Sequence, residues 1–207
     1  METAKVVEGK MEEYLLSDIS KDYYESAKFT SDNSDTNNLN DLEFYECEFR
    51  NINFFSAQIT ACRFENCTFI NCDLSLTNLQ NSQFLEIEFN NCKLAGIDWR
   101  KALKPFTINF LESKLNDSIF FGLDLRGTEF TKCEIRNCDF ERCNLTKVSF
   151  SESDLLNTKF NLTTLNQADF TYTINYQISP TQNKIKKAKF SQPEVLSLLD
   201  EFNINIE

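Results

Sequence analysis

A large apolar residue recurs at every fifth position over most of this chain. The first series is Leu39, Phe44, Phe49, Phe54, Ile59, Phe64, Phe69, Leu74, Leu79, Phe84, Phe89, Leu94 and Trp99. The register then slips by one residue and resumes as Phe110, Leu115, Phe120, Leu125, Phe130, Ile135, Phe140, Leu145, Phe150, Leu155, Phe160, Leu165 and Phe170. A period of five fits neither an α-helix at 3.6 residues per turn nor a flat strand at 2.0. It suits a coil whose backbone turns one corner per repeat.

Two residues before each centre the side chain is small or modest: Ala57, Cys62, Cys67, Cys72, Thr77 and Ser82, and later Ser113, Ser118, Thr128, Cys133, Cys138 and Cys143. Residues two apart share one side of an extended segment, so centre and slot both point inward. The other three positions are mostly polar and face water. All eight cysteines (47, 62, 67, 72, 92, 133, 138 and 143) occupy the slot. Their spacing superficially resembles metal ligands, but Ala, Ser, Thr, Val, Leu and Ile also fill it. Size and inwardness are therefore the requirement, and no metal or cofactor is expected.

The number of walls follows from the columns. From Phe110 to Phe170 the centres alternate between Phe and Leu or Ile, so an even number of repeats per coil keeps like over like. In the first run, every twentieth residue gives Phe44, Phe64 and Phe84, then Phe49, Phe69 and Phe89. Uniform columns stack without voids. The fold class is all-β, a quadrilateral parallel β-helix of twenty residues per coil. Twenty-six repeats make six and a half coils, roughly 31 Å at a strand spacing of about 4.8 Å.

The expected organisation has three parts. Residues 1–38 form an N-terminal segment with a partial capping coil, in which 31–38 is a polar, mobile stretch. Residues 39–172 form the repeat solenoid, interrupted by the register slip at 100–109. Residues 173–207 form a C-terminal element with a short helix near 192–202. Ser191-Gln192-Pro193-Glu194 has the pattern of a capping box opening that helix.

Composition narrows the chemistry. The 207 residues include 32 acidic and 21 basic side chains, a net −11, and no histidine. Direct nucleic-acid binding is disfavoured, because displacing phosphate counterions needs basic charge. Histidine bases and ligands are excluded, and the four glycines form no phosphate loop. No nucleophile–base pair is evident, so the chain reads as no enzyme. No apolar run is long enough for a membrane span. The N-terminus lacks the apolar core of a secretory signal, giving a cytoplasmic expectation.

Cys72-Asp73-Leu74-Ser75-Leu76, Cys143-Asn144-Leu145 and Ala168-Asp169-Phe170 resemble the consensus of the pentapeptide-repeat family, roughly Ala-(Asp/Asn)-Leu-X-X. The resemblance implies a right-handed coil. The segments 91–99 and 115–123, the tail Asn175-Tyr176-Gln177-Ile178 and residues 183–194 are similar to the topoisomerase-protecting branch of that family. Albicidin-resistance proteins are the nearer likeness there, with Qnr quinolone-resistance and microcin-immunity proteins more distant.

The branch implies a DNA mimic that binds DNA gyrase or topoisomerase IV and protects it from a gyrase-targeting antibiotic or toxin. A structural or adaptor solenoid with another protein partner is the competing reading. Residues 39–99 hold nine acidic and three basic side chains, a net −6, whereas 100–170 hold ten of each. The partner-binding acidic surface is therefore assigned to Glu43, Glu46, Glu48, Glu65, Asp73, Glu86, Glu88 and Asp98. The slip carries Arg100, Lys101, Lys104 and Pro105, either a tolerated insertion or, by the resemblance, a contact loop. At the C-terminus Val195, Leu196, Leu198, Leu199, Phe202, Ile204 and Ile206 either cover the last coil or, by the resemblance, form a head-to-head homodimer interface.

Overall fold

A computed structural model describes residues 11–31 and 38–205. The chain winds as a four-walled parallel β-solenoid. The first wall stacks Tyr23–Glu25, Glu43–Tyr45, Arg63–Glu65 and Gln83–Leu85. The second stacks seven strands, from Glu12–Leu15 and Ala27–Thr30 up to Ile108–Leu111 and Phe130–Thr131. Third and fourth walls are tied mainly by single parallel bridges, such as Asn53 to Asp73 and Gln58 to Asn78. The register is twenty residues per coil, as in Phe49 opposite Phe69, and becomes twenty-one across the slip, as in Phe89 opposite Phe110.

The core is a stack of rings. On the second wall Tyr14, Phe29, Phe49, Phe69, Phe89, Phe110, Phe130, Phe150, Phe170 and Phe190 lie one above the next, with centroids 4.7–5.6 Å apart. Each fully buried Phe contributes roughly 1.5–3 kcal/mol relative to exposure. Below the slip a second aromatic column, Phe44, Phe64 and Phe84, lines the first wall. Above it the rings change sides: Trp99, Phe120, Phe140 and Phe160 fill the fourth wall, while Leu125, Leu145 and Leu165 fill the first. The exchange keeps the number of rings per coil nearly constant, so packing density is preserved while the register changes.

Most corners carry a left-handed residue two positions after the centre, with φ between +50° and +75°; the corner after Trp99 is a 3-10 turn instead. Asn fills many of these places, as at 51, 66, 71, 81, 91, 137 and 157, because it tolerates that region best after glycine. Gly96 has a second reason: a Cβ there would come 2.5 Å from the Leu76 side chain one coil below.

The inward slot does more than accommodate size. The Ser82 hydroxyl donates to the Ile59 carbonyl at 2.8 Å and accepts from the Cys62 N–H at 3.0 Å. Ser113, Ser118 and Ser153 bridge equivalent pairs of backbone groups. Cysteine thiols make the weaker donation, as Cys72 to the Phe49 carbonyl at 3.4 Å. Corners break the ladder, and these side chains satisfy the buried groups left over. All eight cysteines are buried and free. Burial raises the Cys133, Cys138 and Cys143 thiols to about 12.

The solenoid is longer than the 39–172 span. At the start, Tyr23–Glu25 pairs with Glu43–Tyr45, and Tyr14 already stacks on Phe29. The expectation of mobility at 31–38 concerns mainly residues 32–37, which lie outside the described ones. At the far end the period continues to Phe190, since Thr164 bridges Lys184 and Phe170 pairs with Phe190. Asn175 and Pro180 stand at the centre positions of this coil and conceal the repeat; Tyr176 turns inward instead, while Ile178 keeps the regular inward slot.

The C-terminal helix is a 3-10 helix, Glu194–Phe202, and the expected capping box is absent. Its N-cap is Pro193, with no side-chain cap. Ser191 lies outside the helix, and its hydroxyl accepts from the Tyr172 N–H at 3.0 Å, clipping the tail onto the preceding coil.

Candidate functional site

The eight proposed acidic residues fall on four walls and divide into two groups. Four are ion-paired: Glu48 with Arg50, Glu65 with Arg63 at 2.6 Å, Asp73 with Lys93 at 3.5 Å, and Asp98 with Arg100 at 2.8 Å. The guanidinium of Arg50 holds the Glu48 carboxyl below the usual range, and that of Arg100 does the same for Asp98. These side chains present near-neutral pairs.

The other four, Glu43, Glu46, Glu86 and Glu88, are exposed and have no ion-pair partner among the described residues. They cluster about the edge between the first and second walls. Glu46 and Glu86 occupy its left-handed corner positions two coils apart, and the Glu46 carboxylate accepts from Ser26 Oγ at 3.3 Å. Glu86 and Glu88 flank a shallow depression of about 490 Å³ with Asn66, Thr68, Thr107 and Asn109. Glu43 lies on the first wall opposite Arg63. The strands beneath hold these carboxylates in place, because their neighbours Phe44, Cys47, Ile87 and Phe89 are buried in the core.

Two further carboxylates extend this edge. Glu25 sits beside Tyr45 on the first wall, and Glu129 lines the groove above Glu88 on the second. Sequence counting by halves hides Glu129 in a segment of zero net charge. Reading Glu48, Glu88 and Glu129 as one column, with a one-residue correction at the slip, brings it out.

The extra residue at the slip lies within Lys104-Pro105-Phe106, which spans the same step as Phe84-Leu85 below: Gln83 bridges Leu103 and the Ile87 N–H meets the Thr107 carbonyl. Phe106 is buried against Trp99 in place of a regular centre. Lys104 and Pro105 remain exposed. Arg100 and Lys101 belong to the preceding 3-10 turn, Trp99–Lys101, capped by Asp98 accepting from the Arg100 N–H. The four candidate loop residues therefore do not form one projection: Arg100 is committed to Asp98, and Lys104-Pro105 sits on the first wall.

At the C-terminus Leu196, Phe202 and Ile204 are about half exposed, while Leu198 packs against the core and Val195 and Leu199 are partly buried. Ile206 lies outside the described residues. Among the described residues no cluster of His, Cys, Asp or Glu could hold a metal ion, and no helix is long and apolar enough to cross a membrane.

A twenty-residue, four-cornered coil with an inward ring every five residues defines a pentapeptide-repeat solenoid. The sequence profile of the pentapeptide repeat region matches residues 43–105 and 106–170, more than half the chain. The chain belongs to the pentapeptide-repeat family, and its fold is the right-handed quadrilateral β-helix. Membership of this family marks the chain as a non-enzymatic solenoid. Two structures of QnrB1, a plasmid-mediated fluoroquinolone resistance protein, share the fold. The trypsin-treated form aligns at TM-score 0.55 and 18% identity, covering 96% of this chain and all of QnrB1. The full-length form aligns at 0.51 and 16%, covering 88% of this chain and all of QnrB1. HetL, a pentapeptide repeat protein involved in heterocyst differentiation regulation in the cyanobacterium Nostoc, aligns at 0.37 and 13%, covering 74% of this chain and 87% of HetL. No curated protein sequence matches significantly.

Proposed function

We propose that this protein is a duplex-mimicking rod that binds DNA gyrase or topoisomerase IV and protects it from a gyrase-targeting antibiotic or toxin. The observation that carries this reading is the edge of unpaired carboxylates, Glu43, Glu46, Glu86 and Glu88, on a rigid stack of rings. Such an edge offers a basic DNA-binding surface an ordered negative charge and speeds association. A stiff support matters, since a flexible acidic tail would lose ordering entropy on binding. Similarity in fold to QnrB1 supports the direction of this reading. We further propose a head-to-head homodimer through Leu196, Phe202 and Ile204 in a cytoplasmic setting.

Gyrase supercoiling tests the function. With rising protein, supercoiling should fall in the absence of a poison, and activity should be restored in its presence. Neither effect at any dose would reject the proposal. The competing adaptor reading is favoured by the ion pairs that neutralise half of the expected acidic surface; it anticipates unchanged supercoiling in both arms.

A further inference from the structure

The first wall reverses its charge along the rod. Below the slip its outward charges are mostly acidic, Glu25, Glu43, Glu46, Glu65 and Glu86 against Arg63; above it they are mostly basic, Lys104, Arg126, Lys147, Lys184, Lys186 and Lys187 against Asp124. A chain of net −11 thus carries a concentrated basic stripe on one face. The stripe begins at a groove of about 770 Å³ beside the insertion, lined by Lys104, Pro105, Phe106, Asp124, Arg126 and Lys147 among others, with three cationic side chains against one carboxylate. The groove is mostly apolar between its cationic rims, and Gly127 leaves its corner open, with no heavy atom within 4 Å of a hypothetical Cβ.

We propose that this groove docks an acidic peptide segment of a protein partner. Lys104 and Lys147 have no ion-pair partner among the described residues. Arg126 is oriented by Asp124, whose carboxylate accepts from Nε at 2.9 and 3.0 Å, and the terminal guanidinium amines make no hydrogen bond within the described residues. A positioned guanidinium with free amines is suited to grip an incoming carboxylate. Exposed Pro105, resting on the buried Phe106, supplies apolar surface for the peptide stem. From Lys104 to Lys187 the stripe climbs four coils, about 19 Å. An extended octapeptide spans roughly 27 Å and reaches all of it. Nucleic acid is the poorer occupant, because the mainly apolar groove floor suits the methylene stems of a peptide better than a sugar-phosphate backbone.

Fluorescence anisotropy of fluorescein-labelled octaglutamate against the full chain tests this, with octaglutamine and a short DNA duplex as comparison probes. Octaglutamate should bind, and weaken as salt rises from about 50 to 200 mM. Octaglutamine should not bind, and the duplex should bind at least about tenfold more weakly than octaglutamate. Lys104→Glu with Lys147→Glu should reduce octaglutamate affinity about tenfold or more. Lys132→Glu with Lys159→Glu, outside the groove, should leave it within about twofold. Circular dichroism of each variant establishes that the coil is intact. No octaglutamate binding, equal loss in both double variants, or a duplex bound as tightly as octaglutamate would overturn the proposal. The inference stands apart from the gyrase reading: a null supercoiling result leaves it intact, and failure of octaglutamate leaves the acidic edge untouched.

Discussion

Ser82→Ala isolates what the inward slot contributes. Ser82 is fully buried, and its hydroxyl bonds both the Cys62 N–H and the Ile59 carbonyl. Removing it vacates little volume but strands two buried backbone groups. Each stranded group costs about 1–3 kcal/mol, so the pair costs about 2–6 kcal/mol. For a chain of this length that corresponds to a fall in Tm of about 4–24 °C. Ser82→Thr should be nearly neutral, since Thr77, Thr158 and Thr163 make the same bridge to the carbonyl below. Exposed Ser17→Ala serves as the control. Thermal unfolding followed by circular dichroism reads all three. If Ser82→Ala melts within about 1 °C of Ser17→Ala, the slot acts through size alone and the hydrogen-bond argument is wrong.

Other outcomes follow from the same structure. Leu162 is exposed with φ +56°, so Leu162→Asn should stabilise the coil by about 0.5 kcal/mol in chemical denaturation. The Asp98 carboxyl is held below its ordinary value by Arg100. Its folded pKa lies under its unfolded one, so the pair adds stability above the ordinary Asp range and loses it as pH falls through the folded value. The stability difference between the parent and Asp98→Asn should therefore shrink below about pH 4, as read by denaturation at stepped pH. Leu196→Asp with Phe202→Asp should halve the mass measured by light scattering while leaving the circular dichroism unchanged.

The repeat was legible because burial leaves few choices at the centres: a coil wall admits large apolar side chains inward, and the columns reveal themselves every twenty residues. The two stretches that escaped have a shared cause. Phe106 and Tyr176 fill the core from irregular positions, so the period fails in sequence while the packing continues in space. The slot looked like a volume requirement because Ala and Ile also occur there; its hydrogen bonds depend on atoms twenty and twenty-three residues away. For the surface, the acidic bias was legible as a count and not as a site. Whether a carboxylate is neutralised depends on a cation two residues along, as Arg50 beside Glu48, or one coil above, as Lys93 over Asp73. The reversal of charge on the first wall likewise appears only when residues forty and sixty apart are placed on one face.

Competition with DNA for gyrase tests the central claim most directly. In a binding assay with labelled duplex and gyrase, the parent protein should displace the duplex. The variant Glu43→Lys, Glu46→Lys, Glu86→Lys, Glu88→Lys should fail to do so, while Asp73→Asn, drawn from the neutralised pairs, competes like the parent. Displacement by the fourfold variant at the parent's concentration would contradict the account.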